Sequence, residues 1–444
     1  MLSIWIAVAL ITLDGTIASV ALPLVSADLR IDPASSIWIV NTYQIGMLLL
    51  LLPLATLGDV WGHRSVFCGG LVVFSVASIG SAFAPSLPAL AAFRLFQGFG
   101  AAGFMAVIAA LVRFTFPLPL LGRGMGHNAL AVALCSAMAP AFAALLLESL
   151  SWRWLFAINL PFGLTALAIG WRYLPASPRS AKRVDFVSVL LNAMAFGSFF
   201  LAVTSLSHGR SAAWWLPLLL IAIFTGVSLV RRESHVPNPL FPIDLLRIPV
   251  LRLAYFTSFC ASAAAMVGIV ALPFLLRLKF GSDNIRVGLM LSAMAAGMAV
   301  TAPIAGHLSG KISAGVLGAI GLLVSAAGWM IMTVLPQFPP TVLITSAMLM
   351  CGAGFGLFQT PNNREMMMFA PSHRSGAAGG MLSIARLMGQ STGALINVTM
   401  FNFFGPDTWL TMLSACLLTL LGAVVCLCAI LSQNHRQSPG QCEY

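Results

Sequence analysis

The chain has 444 residues, 59% of them hydrophobic and 8% charged, with 23 Lys+Arg against 12 Asp+Glu and a formal net charge of +11. A water-soluble globular domain carries roughly 25% charged residues, so this composition excludes a soluble enzyme or a disordered binding module and makes lipid the solvent of most of the chain. The basic residues are scattered singly between apolar stretches, with no clustered patch, so no nucleic-acid partner is expected.

A helix crosses the hydrocarbon core with about 20 apolar residues, and the charged and Pro-rich breaks cut the chain into about fourteen such segments. The first six are Leu2–Leu22, Ser36–Leu57, Val66–Ala84, Leu87–Val112, Met125–Leu147 and Trp154–Trp171, which predicts an N-terminal six-helix bundle over 1–172. Residues 173–249 follow as polar linker segments around two inserted helices, Phe186–Leu206 and Trp214–Val230. Six further spans, Leu251–Leu276, Val287–Leu308, Gly315–Leu335, Val342–Pro361, Gly379–Phe403 and Trp409–Leu431, predict a C-terminal bundle over 250–431 and leave a tail at 432–444. The expected fold class is an all-α polytopic membrane protein, with connections too short for a soluble domain.

Assigning the basic residues to alternate sides, with the N-terminus inside, places fifteen on that side and six on the other, while Arg94 and Arg386 fall within spans. This bias predicts that both termini are cytoplasmic in a multi-pass protein of the bacterial plasma or inner membrane. No basic residue precedes Arg30, so a cleaved secretory signal is not expected; a start codon placed too late, omitting a short cytoplasmic lead, stays open.

The two ends of the chain repeat each other at a shift of about 250 residues. Ala21-Leu22-Pro23 matches Ala271-Leu272-Pro273; Gly58, Gly62 and Arg64 match Gly306, Gly310 and Lys311; Gly98 and Pro117 are spaced as Gly352 and Pro371. Internal repeats of this kind are typical of transporters built from two related bundles. Gly98-Phe99-Gly100-Ala101-Ala102-Gly103 satisfies the G-x-G-x-x-G of a dinucleotide site, yet it lies inside an apolar span with no strand before it, so it is expected to pack helices. The eight Cys lack metal-ligand spacing and are expected to pack as small hydrophobes, so neither a metal nor a disulfide framework is implied.

Of the twelve acids, only Asp14 lies well within a span. A carboxylate at that depth must pair or take up a proton, which makes Asp14 the candidate proton carrier. Arg94 is its candidate partner, because Arg keeps its charge and can favour proton release; a purely structural ion pair is the alternative. Arg386, near Gln390 in the thirteenth span, has no acid within the second bundle to pair with. It either binds an anionic substrate group in a water-filled cavity or snorkels to the membrane edge. Asn41, Tyr43 and Gln44 in the second span, Asn128 in the fifth and Gln359 in the twelfth are candidate cavity contacts or helix-packing polar groups.

Several of these segments resemble a known family. The loop Gly58-Asp59-Val60-Trp61-Gly62-His63-Arg64 resembles the G-x-x-x-D-R-x-G-R-[RK] signature of the major facilitator superfamily, with Val60 in place of a basic residue. Leu13 to Pro23 resembles the L-D-x-T-[IV]-x-[NS]-V-A-L-P segment of the 14-spanner drug:proton antiporters, and Trp152 to Gly163 their W-R-W-x-F-x-x-N-x-P-x-G signature. Their fifth-helix G-P-x-x-G-G appears here as a remnant, with Ala139, Pro140, Ala143 and Ala144 at the motif positions, and Arg94 to Gly98 resembles the superfamily's fourth-helix R-x-x-x-G.

The resemblance implies a major facilitator fold of two six-helix bundles with a two-helix insert. It implies efflux of amphiphilic drugs or other small organic compounds by alternating access, with Gly58, Asp59, Gly62 and Arg64 as a gating loop. The expected partners are the lipid bilayer, a small-molecule substrate and protons; the driving force is the proton gradient with no cofactor, and the protein is expected to act as a monomer and not as an enzyme. A proton-coupled carrier for a specific metabolite is the alternative. An intramembrane enzyme or a channel is disfavoured, because neither a convergent catalytic set nor rings of pore-lining polar residues are present.

Overall fold

The computed structural model describes residues 1–115, 121–175, 185–207, 211–234, 243–281, 283–309, 311–335, 340–370 and 375–436, and among them every regular element is helical. Pro117, Pro371, Gly310 and the tail beyond residue 436 lie outside the described residues. The first bundle contains α1 (Leu2–Asp28), the short α2 (Pro33–Ser36), α3 (Trp38–Trp61), α4 (His63–Ala82), α5 (Leu87–Thr115), α6 (Leu121–Ser149), the short α7 (Trp154–Ala157) and α8 (Asn159–Tyr173). The insert is α9 (Phe186–Ser207) and α10 (Ala212–Glu233). After the short α11 (Ile243–Leu246), the second bundle contains α12 (Pro249–Leu278), α13 (Asn284–Leu308), α14 (Ala314–Thr333), α15 (Thr341–Phe369), α16 (Ser375–Phe404) and α17 (Leu410–Arg436).

Fourteen long helices are therefore present among the described residues, while twelve segments are long and apolar enough to cross a membrane on length and composition. Of the other two, α6 is apolar along Leu134–Ser149, and the side chains of residues 121–130 at its start lie outside the described residues; α16 carries Arg386, Gln390, Ser391, Thr392 and Asn397 along its length.

The repeat seen in the sequence is a repeat of packing. In the first bundle α5 lies against α3 and α4, and in the second α15 lies against α13 and α14. A methyl group at Gly98 would collide with the carbonyl oxygen of Tyr43, and one at Gly352 with that of Met294, so both helix pairs approach backbone to backbone. Gly100 does the same against α4 at Phe74, which gives the whole G-x-G-x-x-G run a packing role. The first turn after each opening helix is also capped alike: Asp32 accepts from the Ser35 backbone N–H at 2.7 Å, and Asp283 from that of Arg286 at 3.1 Å.

Where the two bundles meet is decided by where their cores merge. One core joins Leu22, Val25 and Leu147 of the first bundle to Leu272, Leu276, Val287 and Phe401 of the second, all toward the end at which α1 finishes. There Gly288 of α13 rests on α6, with the Pro140 carbonyl oxygen 2.7 Å from where a Cβ would sit, and Asn284 donates to the Leu147 carbonyl at 3.4 Å. Nearer the opposite end Leu251, Tyr255, Met366 and Met381 form a cluster of second-bundle residues with Leu245 of α11, while Ile384 and Leu387 of α16 join the first-bundle core. The bundles are thus closed together at the α1 C-terminal end.

The inserted helices pair with each other at the edge. Asp185 accepts from Arg232 Nε at 2.8 Å and Nη2 at 3.1 Å, which ties the start of α9 to the end of α10. Asn192 of α9 donates to the Leu49 carbonyl of α3 at 3.0 Å. Only 17% of the apolar window of α10 is buried, against 83% for α12, so the insert faces lipid and α12 lies at the centre.

Candidate functional site

Two helices, α5 and α8, converge on Asp14 of α1. Arg94 and Gln97 stand three residues apart on α5 and so share a face, while Asn159 opens α8. Asp14 Oδ2 accepts from Arg94 Nη1 at 2.5 Å; Oδ1 accepts from Gln97 Nε2 at 2.8 Å and from Asn159 Nδ2 at 2.8 Å. Arg94 also donates through Nη1 to Gln97 Oε1 at 2.7 Å and through Nε to the Ile39 carbonyl at 3.0 Å. Gln97 Nε2 reaches Ser78 of α4 at 2.9 Å. The Arg94 side chain is 0% exposed and that of Asp14 1%, so the pair is sealed within the first bundle.

Two aromatic rings complete the enclosure. The guanidinium carbon lies 4.3 Å from the Tyr43 ring centre and 5.5 Å from that of Phe156, close enough for cation–π attraction in a dry site. Arg94 Nη2 and the Tyr43 hydroxyl are buried there without a hydrogen-bond partner among the described residues. The segment before α8 is fixed from outside: Trp152 Nε1 and Arg153 Nη1 each donate to Asp28 Oδ2 at 2.9 Å. The Trp152 to Gly163 segment thus anchors to the end of α1 and delivers Phe156 and Asn159 to the charged pair.

Among the described residues the second bundle has no such network. At the positions related by the repeat, Asp14 corresponds to Ala264, Arg94 to Met348 and Gln97 to Cys351, each fully buried in the core. Gln97, Asn159, Phe156 and Ser78 were not among the residues singled out in the sequence; their signal was position, Gln97 one turn from Arg94 and Asn159 within a family-like segment.

The loop between α3 and α4 turns at Gly62, whose φ of 95° is a left-handed conformation that disfavours any side chain. Gly58 passes Val107 of α5 so closely that a Cβ would sit 2.7 Å from its methyl carbon. Asp59 lies 3.3 Å from His63 Nε2. Arg64 turns the other way, donating to the Trp171 carbonyl and, at 3.4 Å, to the Leu174 carbonyl at the end of α8. Among the described residues these contacts stay inside the first bundle. Ala139, Pro140, Ala143 and Ala144 are buried in α6, and the last of these abuts Gly288 of α13, so the small-residue segment lies on the closed contact between bundles.

The remaining polar candidates separate into three places. Tyr43 faces Arg94, and Asn41 is buried with its Oδ1 unpartnered. Gln44 crosses between bundles, donating to Met266 Sδ at 3.5 Å and accepting from Ser391 Oγ at 3.3 Å. Arg386 is half-buried and donates through Nη2 to Asn363 Oδ1 of α15 at 2.6 Å, while Gln359 and Gln390 are half-buried nearby in sequence. The side chain of Asn128 lies outside the described residues. No group of three or more His, Cys, Asp or Glu among the described residues is arranged to hold a metal ion.

A family model, the Major Facilitator Superfamily, matches this chain over residues 4–394 and again over 254–441. The chain belongs to the major facilitator superfamily. Within the superfamily it is 43% identical to the uncharacterized transporter YebQ of Escherichia coli (strain K12), over 96% of the chain and 94% of that protein. It is 30% identical to the multidrug resistance protein Stp of Mycobacterium tuberculosis (strain CDC 1551 / Oshkosh), over 86% of the chain and 72% of that protein. The fold matches the crystal structure of a bacterial homolog of the human lysosomal transporter Spinster in its inward-facing, unoccupied conformation. That match has a TM-score of 0.70 at 14% identity, covering 99% and 98% of the two chains. Family and fold are those of membrane-embedded transporters.

Proposed function

We propose that the protein is a proton-coupled exporter of amphiphilic drugs or other small organic compounds, working by alternating access with Asp14 as the proton carrier. The observation that carries this reading is the sealed cluster of Asp14, Arg94, Gln97 and Asn159, where one carboxylate ties α1 to α5 and α8. Ionised Asp14 holds all three donors. A proton on Asp14 cancels the attraction to Arg94, which keeps its bonds to Gln97 and Ile39 and its two aromatic faces. Because α1 also packs against α12, loosening this tie gives the proton a mechanical route to the contact between bundles. The multidrug resistance relative supports export as the direction.

In this reading both termini are cytoplasmic, the closed end faces outward, and Gly58 to Arg64 form a cytoplasmic hinge. A specific-metabolite carrier is the second reading, favoured by Arg386, a fixed positive charge suited to one class of substrate. The discriminating experiment is a susceptibility and accumulation screen in cells overexpressing the wild type or Asp14→Asn. Export predicts lower accumulation of several amphiphiles with the wild type and none with the variant; protection against no compound favours the metabolite carrier.

A further inference from the structure

The second bundle holds one full charge well inside a span for which the described residues offer no counter-ion. Among the described residues no carboxylate comes within 4.0 Å of the Arg386 guanidinium, and its acceptor is Asn363 Oδ1, reached by Nη2. Nε and Nη1 have no acceptor among the described residues. An intramembrane cation kept without a counter-ion marks a substrate or ion pathway, because its desolvation must be compensated when the site is in use.

The direction of Arg386 follows from its neighbours on α16. One face of the helix, Ile384, Leu387 and Leu395, enters the first-bundle core, and Ser391 on that face bonds to Gln44. A second face, Leu382, Ala385, Gly389 and Gly393, lies on α12. Arg386 and Gln390, one turn apart, stand on neither face and look past α12 toward α15. On α15, Gln359 and Asn363 are likewise one turn apart, whereas Asn362 turns to α12 and donates to Ser258 Oγ at 2.7 Å. Gln359 and Gln390 have no hydrogen-bond partner among the described residues and are half-buried.

We infer that Arg386, with Asn363, Gln390 and Gln359, is the subsite for an anionic group of the substrate, so that the preferred cargo is an amphiphile carrying a carboxylate or sulfonate. The inference rests on the transporter reading above and names its substrate class. Guanidinium presents a planar fork to two oxygens of such a group, and Asn363, whose Oδ1 orients Arg386, keeps its own N–H groups free to add donors. The first bundle contributes no competing net charge, since Asp14 and Arg94 neutralise each other.

Equilibrium binding to the full-length protein in lipid nanodiscs tests this without any proton gradient. The probe is 1-anilinonaphthalene-8-sulfonate, and the control is N-phenyl-1-naphthylamine, the same ring system without the sulfonate; empty nanodiscs give the lipid background. Arg386→Gln is expected to weaken sulfonate binding at least about tenfold, the range of a lost charge-assisted hydrogen bond, with Arg386→Lys in between and the neutral probe changed less than about twofold. If Arg386→Gln does not yield monodisperse protein, Asn363→Ala with Gln390→Ala is expected to weaken the sulfonate alone by about threefold or more. Absent sulfonate binding in the wild type, unchanged affinity in the variants, or equal loss of both probes overturns the inference. This equilibrium readout involves no proton coupling, so failure of the proton-coupling reading, scored by transport, and failure of this one give different results.

Discussion

The second bundle contains, in its own core, an apolar version of the site that the first bundle fills with charge. Replacing Asp14, Arg94 and Gln97 by their repeat counterparts, Asp14→Ala, Arg94→Met and Gln97→Cys, separates what the network does for folding from what it does for transport. Asp14→Ala alone leaves Arg94, 0% exposed, without its carboxylate, and Arg94→Met alone leaves Asp14 without its cation. Breaking a buried pair from one side costs about 3–5 kcal/mol, so two such costs would sum to about 6–10 kcal/mol if the sites were independent. The triple variant removes both charges together. Its main orphan is Asn159 Nδ2, worth about 1–3 kcal/mol, because Ser78 Oγ still donates to the Phe74 carbonyl at 2.8 Å. The triple variant is therefore expected to be more stable than either single one, measured by unfolding in mixed dodecyl maltoside and dodecyl sulfate micelles, and to have lost proton-coupled transport. A triple variant as unstable as the sum of the singles refutes the packing argument, and one that still couples protons refutes the role of Asp14.

Four further outcomes follow from local geometry. Gly98→Leu is expected to abolish the folded yield, since even a Cβ meets the Tyr43 carbonyl, whereas Gly15→Ala, with nothing within 4 Å, leaves it unchanged; size-exclusion profiles of the two report this directly. Gly288→Leu wedges α13 from Pro140 and Ala144, so a cysteine placed at Ala143, now fully buried, becomes reactive to a membrane-impermeant maleimide from the end that is closed here. Gly62→Ala forces a side chain to a φ of 95° and is expected to cost about 1–2 kcal/mol, read as a lower unfolding midpoint. The Arg232 hydrogen bonds lower the Asp185 pKa to about 2 from an ordinary 3.8, so the pair stabilises the insert above about pH 4 and the gain is lost as pH falls toward 2. Both side chains are over a third exposed, so the gain is under about 1 kcal/mol, and Asp185→Asn should remove that step from the pH dependence of unfolding.

Much of this molecule is legible in its sequence because membrane proteins make polarity expensive. One acid and two arginines deep in apolar spans stand out by scarcity, and the structure brings Asp14 and Arg94 together at 2.5 Å. The glycines of α5 and α15 were legible for the same reason, since small residues repeated in apolar helices exist to be approached. Uncharged polar groups give no such signal. Gln97 and Asn159 cost little at any depth when bonded, so only the coordinates show that they complete the carboxylate's shell. Tyr43 illustrates the opposite difficulty: three of the polar residues within four positions of α3 point three ways, Gln44 between bundles, Tyr43 to Arg94 and Asn41 into packed interior, because each helical position turns by about 100° from the last. The Gly58 to Arg64 motif implies a turn at Gly62 but not the partner of Arg64, which is the carbonyl end of α8, more than a hundred residues away in the chain.

Coupling of a proton to substrate movement through Asp14 can be measured with the purified protein in liposomes. A pH gradient is imposed across the vesicles, lumenal pH is followed with pyranine, and a compound identified in the susceptibility screen is supplied in labelled form. With the wild type, the gradient should drive the compound uphill and decay faster as it does so. With Asp14→Asn, downhill movement should persist while the gradient neither drives accumulation nor decays faster. Uphill accumulation in Asp14→Asn at the wild-type rate would rule out Asp14 as the proton carrier.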